Sequence, residues 1–435
     1  MRIGFFGGVR EIGSNIILIE DKGEGIVFDF GNRFRSNNTF FNEYMSVREY
    51  KGTDDYVTME EYPPFKNFYK KPLSPDKILN IDILGLFFSH AHLDHIGHID
   101  VVNNEIPKYL TSESLAILKY FVKFGYISEM PENVKVISKR VNYKNFNITA
   151  VPVDHDIPGA TSFFIKTPKG LVIYTGDLFF SGVNKEKTLN FIEKAKREHP
   201  YILITEGTRI NWGGIKSLTE EEIQMEVKSI SNTFNGMIIA NPYEPHVPRI
   251  YSFFITSKEL KKKFVLSLPY AFALYFLSEA GNQISKEILL DADTFIYAPV
   301  VKKDELFKRY SGKFIGAGDI NKKQENIILL LGYKGLPELI DIKPKKGAVY
   351  IHSGGEPITS VDGENASILM NWISKFDLPF FKVHSPGHAS EIEILNMAKE
   401  INPEILLPIH TQIPERFTYV SSNVRILEKG VIEEF

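Results

Sequence analysis

Short runs of apolar residues, bounded by turn-forming residues, dominate the first 210 positions of the chain. Runs of this length between Gly, Pro, Asn and Asp residues are typical of buried or half-buried β-strands. The pattern predicts a helix at 187–199 and strands at 15–20, 25–30, 83–88, 162–167, 171–177 and 201–205. Residues 32–78 are polar, rich in aromatic residues and only weakly periodic, so we expect a functional or family-specific insertion there.

A different pattern, in which helices and strands alternate, begins after about residue 208. Thr219 followed by Glu222 is a capping-box sequence that starts a helix, and Ile223 and Val227 follow at helical spacing. Strands are predicted at 237–240, 264–268, 295–298, 327–331 and 348–351, as in a mostly parallel α/β sheet. From about residue 376 the pattern predicts a helix from Ser390 and strands at 379–383 and 404–409.

The composition of the chain excludes several kinds of site. Its 435 residues include 51 Lys and Arg against 54 Asp and Glu, and 43% are apolar, which indicates a globular protein of about two or three domains. The absence of cysteine excludes disulfides, thiolate nucleophiles and Cys-bound zinc, so any metal must be held by His and carboxylate groups. Neither a secretory signal nor a run of about 18 apolar residues is present, and we expect a cytoplasmic protein.

Four of the 11 histidines fall within nine residues, in the sequence HAHLDHIGH at 90–98. A lone His is most often a structural residue, but four of them around an aspartate after a buried strand favour a metal site. Imidazole and carboxylate groups are ligands that zinc accepts, and a strand-to-loop turn can bring adjacent side chains to one point. His98, one turn further on, is expected to be structural or to support a ligand.

Five more polar residues follow apolar runs at the positions where strands end, namely His155, Asp177, His384, His388 and His410. Each would therefore project from the carboxyl end of a strand. Taken singly, Asp177 could be a turn aspartate and His410 the end of a strand. Their occurrence together with the cluster at 90–98 indicates a shared site.

The motif His-x-His-x-Asp-His at 90–95, with a distant His, a Gly-Asp pair and a late His, resembles that of the metallo-β-lactamase fold hydrolases. The long insertion after Asp177, with EGTR at 206–209, HSPGHA at 384–389 and LPIH at 407–410, resembles the β-CASP branch, which includes the ribonuclease J nucleases. The opening GGVREIGSN at 7–15 is also similar to that of ribonuclease J. The resemblance covers essentially the whole chain, without the C-terminal domain of many bacterial members.

The resemblance implies an α/β fold in which a doubly wound β-CASP domain is inserted into a metallo-β-lactamase αββα sandwich. The sandwich would comprise 1–206 and 376–435, and the inserted domain 207–375. Each sheet of the sandwich would carry helices on its outer face.

The resemblance also implies a ligand set for two zinc ions per chain. One ion would be held by His90, His92 and His155, and the other by Asp94, His95 and His410, with Asp177 bridging both. The catalytic residues would be Asp94, Glu206 and His388, with His388 as general acid and Glu206 orienting it. The substrate contacts would be His384, Ser385, Gly387, His246 and Arg249.

The function implied by the resemblance is a metal-dependent ribonuclease that attacks RNA phosphodiester bonds with a hydroxide activated by two metals. Its mode would be 5′-to-3′ exonucleolytic with additional endonucleolytic cleavage, its partner RNA rather than a membrane, and its assembly compatible with a homodimer. A small-molecule hydrolase on the same metal platform, such as a thioesterase or lactonase, is the alternative. A third interpretation is an RNA-binding or assembly protein that retains the pocket.

Overall fold

The computed structural model describes residues 1–33, 40–41, 45–74, 78–213, 218–300, 304–354 and 360–435, of which 360–364 are described without side chains. Two compact units are present. The first comprises Met1–His155, Gly159–Lys216 and Gly387–Phe435, and the second comprises Asp156–Pro158 and Ser217–Pro386. The units divide after residue 216 rather than 206 and after 386 rather than 375. The difference arises partly because the segment after 206 bonds to residues of the first unit, as when Thr208 contacts His410.

The first unit contains a mixed seven-stranded sheet in the order β20-β1-β2-β3-β4-β5-β6. Its strands are β1 (Arg2–Gly7), β2 (Ile16–Asp21), β3 (Glu24–Phe28), β4 (Asp82–Phe87), β5 (Lys108–Leu110), β6 (Val134–Val136) and β20 (Ile432–Glu434). Neighbours from β20 to β3 are antiparallel, and those from β3 to β6 are parallel. The strands predicted at 15–20, 25–30 and 83–88 are present as β2, β3 and β4, because their apolar runs are buried on both faces.

A second sheet of the first unit has six strands in the order β19-β11-β10-β9-β8-β7. The strands are β7 (Arg140–Asn142), β8 (Asn147–Pro152), β9 (Thr161–Thr167), β10 (Gly170–Tyr174), β11 (Ile202–Thr205) and β19 (Ile405–Pro408). Strand β19 pairs in parallel with β11, although about 200 residues of sequence separate them. This pairing brings the last part of the unit next to its middle part.

The two sheets share one apolar core, in which rings and branched side chains from both sheets meet. Phe28 of β3 contacts Phe163 of β9 with a ring separation of 5.1 Å. Helices α4 (Lys185–Glu198) and α13 (Glu391–Ile401) pack on a second apolar cluster, which includes Ile173 and Leu203 of the six-stranded sheet. Helix α13 starts at the capping box formed by Ser390 and Glu393, as the sequence predicts. The remaining helices of this unit are α1 (Thr53–Thr58), α2 (Leu93–Ile96) and α3 (Ser112–Lys123).

The second unit is built on a seven-stranded sheet in which every described pair of neighbours is parallel. The order is β15-β14-β13-β16-β12-β17-β18. The strands are β12 (Ile238–Ala240), β13 (Lys263–Ser267), β14 (Thr294–Tyr297), β15 (Phe314–Ile315), β16 (Ile327–Leu330), β17 (Val349–His352) and β18 (Phe380–Lys382). A mostly parallel sheet is what the alternating pattern predicts for this part of the chain.

Helices cover both faces of this sheet, as a parallel sheet requires. They are α5 (Glu220–Thr233), α6 (Val247–Glu259), α7 (Leu268–Glu279), α8 (Gln283–Leu290), α9 (Glu305–Arg309), α10 (Ala317–Lys322), α11 (Leu339–Ile342) and α12 (Ser360–Lys375). Val265 of β13 belongs to the core cluster that includes α11 and α12, whereas its neighbour Phe264 contacts Phe254 of α6. Adjacent residues of a strand lie on opposite faces, so α6 lies on the face opposite to α11 and α12.

The segment predicted as an insertion, 32–78, contains α1 and a cluster of aromatic side chains within its described residues. Tyr62 stacks between Tyr56 and Tyr69, with ring separations of 4.5 and 5.7 Å. His98 contacts this cluster, since its Nδ1 lies 3.0 Å from the Tyr62 hydroxyl. Nowhere in the described part of the chain is a helix both long and apolar enough to cross a membrane.

Candidate metal centre

Polar side chains follow five strands of the first unit, one to three residues after each strand ends. Strands β4, β8, β10, β11 and β19 are followed in this way by His90, His155, Asp177, Glu206 and His410. Helix α2 adds Asp94 and His95 and is preceded by its N-cap residue His92. Because the strands are packed in the core, the residues that follow them are held in fixed positions.

The first group of converging side chains consists of His90, His92, His155 and Asp177, with one potential ligand atom of each within 4.8 Å of the others. Nδ1 of His92 lies 3.0 Å from Nε2 of His90 and 3.1 Å from Nε2 of His155. The Nδ1 atoms of the latter two rings are engaged elsewhere, one at 3.0 Å from Ser89 Oγ and one at 3.0 Å from the Gly387 carbonyl oxygen. A neutral imidazole carries a single N–H, so with each Nδ1 as donor both Nε2 atoms keep a lone pair. Three nitrogens that lie this close, two of them lone-pair donors, suit a shared cation.

The second group consists of Asp94, His95 and His410, whose ligand atoms also lie within 4.8 Å of one another. Nε2 of His410 lies 3.0 Å from Oδ2 of Asp94. Nε2 of His95 lies 3.2 Å from Oδ2 of Asp177, which brings the second group next to the first. The two groups therefore have Asp177 between them.

A buried aspartate, Asp29, fixes the orientation of the second group. Its Oδ2 lies 2.8 Å from Nδ1 of His95 and accepts hydrogen bonds from the Tyr174 hydroxyl at 2.6 Å and from Ser89 Oγ at 2.8 Å. With His95 donating through Nδ1, its Nε2 atom is left as the lone-pair atom beside Asp177. Asp29 thus acts on the site through His95.

The carboxylate of Asp177 supplies a test of whether these residues fit a metal. The residue is 2% exposed, and among the residues that the structure describes neither of its carboxylate oxygens accepts a hydrogen bond of acceptable geometry. A buried carboxylate without donors is costly unless a cation balances it. The donor set of imidazole nitrogens and carboxylate oxygens is the one that zinc and similar divalent ions accept, so the residues fit a metal.

The electrostatics of the protein groups alone point the same way. Burial by itself lowers the pKa of His95. The carboxylates of Asp177, Asp94 and Asp29 outweigh burial and raise this pKa well above its ordinary value. Burial also works against the ionised form of Asp177, yet His410 and His95 hold the pKa of that carboxyl well below its usual range. The site thus favours ionised carboxylates that require positive charge nearby.

A third group, which shares Asp177, contains Glu206 and His388. Nδ1 of His388 lies 3.2 Å from Oε2 of Glu206. Glu206 is 1% exposed and also accepts from the backbone N–H of Leu178 at 2.7 Å and from the Thr208 hydroxyl at 2.6 Å. Although burial opposes it, His388 lowers the pKa of Glu206, so this carboxylate is ionised next to the imidazole. The pair can hold a proton and deliver it through the other ring nitrogen, Nε2.

The residues proposed from sequence as substrate contacts divide between the two units. Gly387 belongs to the first unit, whereas His246, Arg249, His384 and Ser385 belong to the second. Arg249 is 1% exposed and donates to the Glu220 carboxylate at 3.1 Å and to Ser353 Oγ at 2.9 Å. Nε2 of His246 lies 3.9 Å from the same glutamate.

His384 and Ser385 lie close to this buried group within the second unit. Nδ1 of His384 lies 3.3 Å from the carbonyl oxygen of Ser353. Burial, and then the positive charge of Arg249, lowers the pKa of His384 to about 3, so its ring is neutral near pH 7. Ser385 Oγ is buried and has no hydrogen-bond partner among the described residues.

The residues that contact this centre without being predicted from sequence include Asp29, Ser89 and Thr208. Asp29 ends the apolar run at 25–29, which is the same signal that identified Asp177. Thr208 lies within the EGTR sequence that was used only for its glutamate. Its hydroxyl lies 2.6 Å from Nδ1 of His410 as well as from Glu206, so it links two of the groups.

Comparisons with known proteins identify a superfamily domain and several relatives. The model of the metallo-beta-lactamase superfamily matches residues 9–203. Ribonuclease J of Mycoplasma pneumoniae is 24% identical over 94% of this chain and 67% of its own length. Ribonuclease J of Pyrococcus abyssi is 22% identical over 94% of this chain and 89% of its own, and ribonuclease J2 of Bacillus subtilis is 23% identical over 100% and 75%.

A solved structure supports the fold over the full length. A protein of unknown function from Enterococcus faecalis V583 superimposes with a TM-score of 0.80, covers 99% of both chains and is 23% identical. The superfamily match, together with the clusters of His and Asp, indicates a centre for a divalent metal. Residues 9–203 match the metallo-β-lactamase superfamily, and the similarity of the chain to ribonuclease J extends over nearly its whole length.

Proposed function

We propose that this protein is a zinc-dependent ribonuclease that hydrolyses phosphodiester bonds in RNA. The observation that carries the proposal is the convergence of two groups of metal-ligating atoms around Asp177, next to the pair formed by Glu206 and His388. Relatives named ribonuclease J, similar over 94% of the chain, support RNA as the substrate.

Seven side chains would hold two zinc ions. One ion would be bound by His90, His92 and His155, the other by Asp94, His95 and His410, and Asp177 would contribute to both. Zinc bound here would supply a nucleophile from water at neutral pH and positive charge for the phosphoryl oxygens. Asp29, Ser89 and Thr208 would keep the imidazoles in the tautomers that ligation requires.

The leaving oxygen of a phosphodiester needs a proton, and we assign its donation to His388. Its Nδ1 is bonded to Glu206, so Nε2 is the nitrogen that would face the leaving group. The buried carboxylate of Glu206 stabilises the ring when it carries a second proton. The backbone N–H of Leu178 and the hydroxyl of Thr208 hold that carboxylate in turn, which fixes the orientation of His388.

For RNA binding we propose different roles for the residues of the second unit. Arg249 is buried and donates through Nε to Glu220 and through Nη1 to Ser353, so we assign it a positioning role rather than a contact with RNA. His246, which is 5% exposed, would act in the same way. His384 donates its single N–H through Nδ1 to the Ser353 carbonyl oxygen, so its Nε2 would accept a hydrogen bond from a 2′-hydroxyl of the RNA backbone, and Ser385 would offer its hydroxyl. The expected mode is 5′-to-3′ exonucleolytic with additional endonucleolytic cleavage.

The test is incubation of the metal-loaded protein with RNA that carries a 5′-monophosphate and a label at one end. We expect shortening of the RNA, inhibition by a chelator and recovery on addition of ZnCl₂. The variant His388→Asn should lose cleavage while it keeps its metal content, because His388 supplies a proton rather than a ligand. The matched control is His199→Asn. His199 is exposed, and its backbone has a left-handed conformation that Asn adopts readily.

Intact RNA in the presence of metal-loaded protein would contradict the proposal. Turnover of a thioester or lactone without RNA cleavage would instead support the small-molecule hydrolase. Loss of metal from the His388→Asn variant would mean that His388 is a ligand and that the proton donor is misassigned. The ladder of labelled products separates release of mononucleotides from one end from internal cleavage.

A further inference from the structure

A cavity of about 450 Å³ lies in the second unit, outside the metal centre, and none of the functional roles assigned above uses it. Its lining comes from the segments that follow β12, β16 and β17, from β18, and from helix α12. All of these belong to one compact unit. Its volume falls within the range of pockets that bind small organic molecules.

The position of the cavity in the sheet is the one at which parallel sheets bind ligands. Strands β16 and β12 are neighbours in the sheet. The strand that follows β12 in the chain, β13, lies on one side of this pair, whereas the strand that follows β16, β17, lies on the other side. Such a reversal opens a crevice beyond the carboxyl ends of the two strands, where ligands of open α/β sheets bind. Asn241 and Tyr243 follow β12, and Tyr333 follows β16, so both segments of the crevice line the cavity.

Aromatic side chains form much of the wall. Tyr243, Tyr333 and Phe380 line the cavity, and the ring of His352 lies 6.0 Å from that of Phe380 with an angle of 24° between their planes. Leu369 of α12 adds an aliphatic surface. Flat rings around a cavity of this size suit a flat ligand that can stack on them.

Polar groups at defined positions accompany these rings. The carboxamide of Asn241 is fixed, because Oδ1 accepts from the Ser353 N–H at 3.0 Å and Nδ2 lies 3.1 Å from Nδ1 of His352. Burial raises the pKa of Glu244 above its ordinary value, and the oxygens of this carboxyl group can accept hydrogen bonds from the N–H groups of a base. A side chain at position 332 would have its Cβ 2.6 Å from Oε1 of Glu244, so Gly332 leaves space for that carboxyl.

We propose that this cavity binds a nucleoside unit, with its base against Tyr243, Tyr333 and Phe380 and the base edge hydrogen-bonded by Glu244 and Asn365. Amide and carboxyl groups next to stacking rings are the means by which proteins bind unstacked bases. Lys382, which also lines the cavity, provides the positive charge for a phosphate on that nucleoside. The unit could be a residue of RNA or a free nucleotide, and only the first case rests on the proposed function.

A hydrogen-bonded chain joins the cavity to residues expected to contact substrate. Asn241 accepts from the N–H of Ser353, whose carbonyl oxygen lies 3.3 Å from Nδ1 of His384 and whose hydroxyl accepts from Arg249. All four residues belong to the second unit. A base bound in the cavity would therefore lie next to the groups assigned to the RNA backbone, which favours RNA as the source.

Calorimetric titration of the complete chain with AMP, UMP and ribose 5-phosphate tests the proposal. We expect both nucleotides to bind and the sugar phosphate to bind roughly tenfold more weakly or worse, because it lacks the base. The variant Ala366→Phe fills the cavity and should weaken nucleotide binding at least about tenfold. The control is Ile368→Phe, an exposed position of the same helix that does not line the cavity.

Equal affinity of Ala366→Phe and the unchanged protein would overturn the proposal, as would equal binding of ribose 5-phosphate and AMP. Melting temperatures of the two Phe variants check that both fold. Glu244→Ala is a second variant of the cavity lining and should also weaken binding.

Competition between RNA and AMP distinguishes a nucleoside of RNA from a free nucleotide. If a short RNA displaces AMP and Ala366→Phe weakens RNA binding, the nucleoside belongs to RNA. If RNA binds equally with and without saturating AMP, the cavity binds a free nucleotide. Binding requires no cleavage, so an inactive protein that still binds AMP would refute only the nuclease.

Discussion

The hydroxyl of Thr208 lies 2.6 Å from Nδ1 of His410, and both residues are buried. The same hydroxyl donates to Oε2 of Glu206, so it accepts from His410 and donates to the carboxylate. His410 is thereby held in the tautomer whose Nε2 lone pair lies beside Asp94. The Thr208 hydroxyl thus sets the tautomer of the candidate ligand His410. It also fixes the orientation of the Glu206 carboxylate, which supports His388.

Replacement of Thr208 by Val should weaken metal binding roughly 10–100-fold, the usual effect of removing a group that orients a ligand. The cause is that His410 loses the acceptor that keeps its proton on Nδ1. Competition between the protein and a chelator for zinc measures the change. Thr208→Ser keeps the hydroxyl and should restore most of the affinity; a Ser variant as weak as the Val variant would show that the methyl group, not the hydroxyl, matters.

Removal of the metal should lower the melting temperature of the first unit. Without a cation, the buried carboxylates of Asp94 and Asp177 have too little positive charge beside them. In addition, a ligand that binds only the folded state stabilises that state by about 2.7 kcal/mol at about one hundred times its Kd. Calorimetry with and without a chelator measures the shift. The second unit contains none of the seven proposed ligands, so its transition should stay in place, and an unchanged first transition would count against a metal centre.

Loss of Arg249 should strongly destabilise the second unit. Arg249 is paired with Glu220 in the interior, and removal of one partner leaves a buried charge, at a cost of about 3–5 kcal/mol. The chain has two tryptophans, and Trp372 packs on the core of the second unit, so Trp212→Phe leaves a probe of that unit alone. Urea unfolding followed by Trp372 fluorescence should then report the loss in Arg249→Met.

A double variant separates charge from packing in this pair. Glu220→Leu combined with Arg249→Met should be less destabilised than the sum of the single variants, because neither charge is left without its partner. Strict additivity would mean that the two side chains contribute independently. Cleavage of RNA by a folded double variant would further support a positioning role for Arg249 rather than a contact with substrate.

The stability of the second unit should rise as the pH is raised from about 3 to about 6.5 through His384. Its folded pKa is about 3, whereas the unfolded chain has the ordinary value of about 6.5, so the unfolded state binds the extra proton in this interval. This contribution is lost as the pH falls. Unfolding of the protein at pH 5 and pH 7.5 should show a smaller difference in His384→Gln, and an unchanged difference would mean that His384 titrates normally.

The sequence was sufficient to predict the elements whose burial is continuous. The runs at 15–20 and 327–331 coincide with the buried strands β2 and β16 to within one residue at each end, and the capping boxes at Thr219 and Ser390 mark the starts of α5 and α13. No element is predicted from sequence in residues 106–152, although helix α3 lies there with four strands, three of which are only three residues long. Val134–Val136, for example, has two exposed residues among its three. Its pairing with β5 depends on tertiary contacts that no local pattern encodes.

The candidate site was predicted where strand ends and histidines coincide, and missed where a single common residue acts through another. Asp29 ends an apolar run, as Asp177 does, but its role depends on its contact with His95, which lies 66 residues further along the chain. Arg249 illustrates the opposite case. The family resemblance implied that Arg249 contacts substrate, whereas the structure pairs it with Glu220, which lies 29 residues earlier, and a pairing of this kind cannot be read from a local motif.

The parallel pairing of β11 with β19 has a consequence for the order in which the protein is made. The second unit is almost entirely one continuous stretch, Ser217–Pro386, whereas His388 and His410 are translated after it. Units of this kind fold as they leave the ribosome. During synthesis the second unit is therefore complete while the first still lacks the two strands β19 and β20, two histidines and hence a competent centre, so the nascent chain acquires its hydrolytic chemistry last.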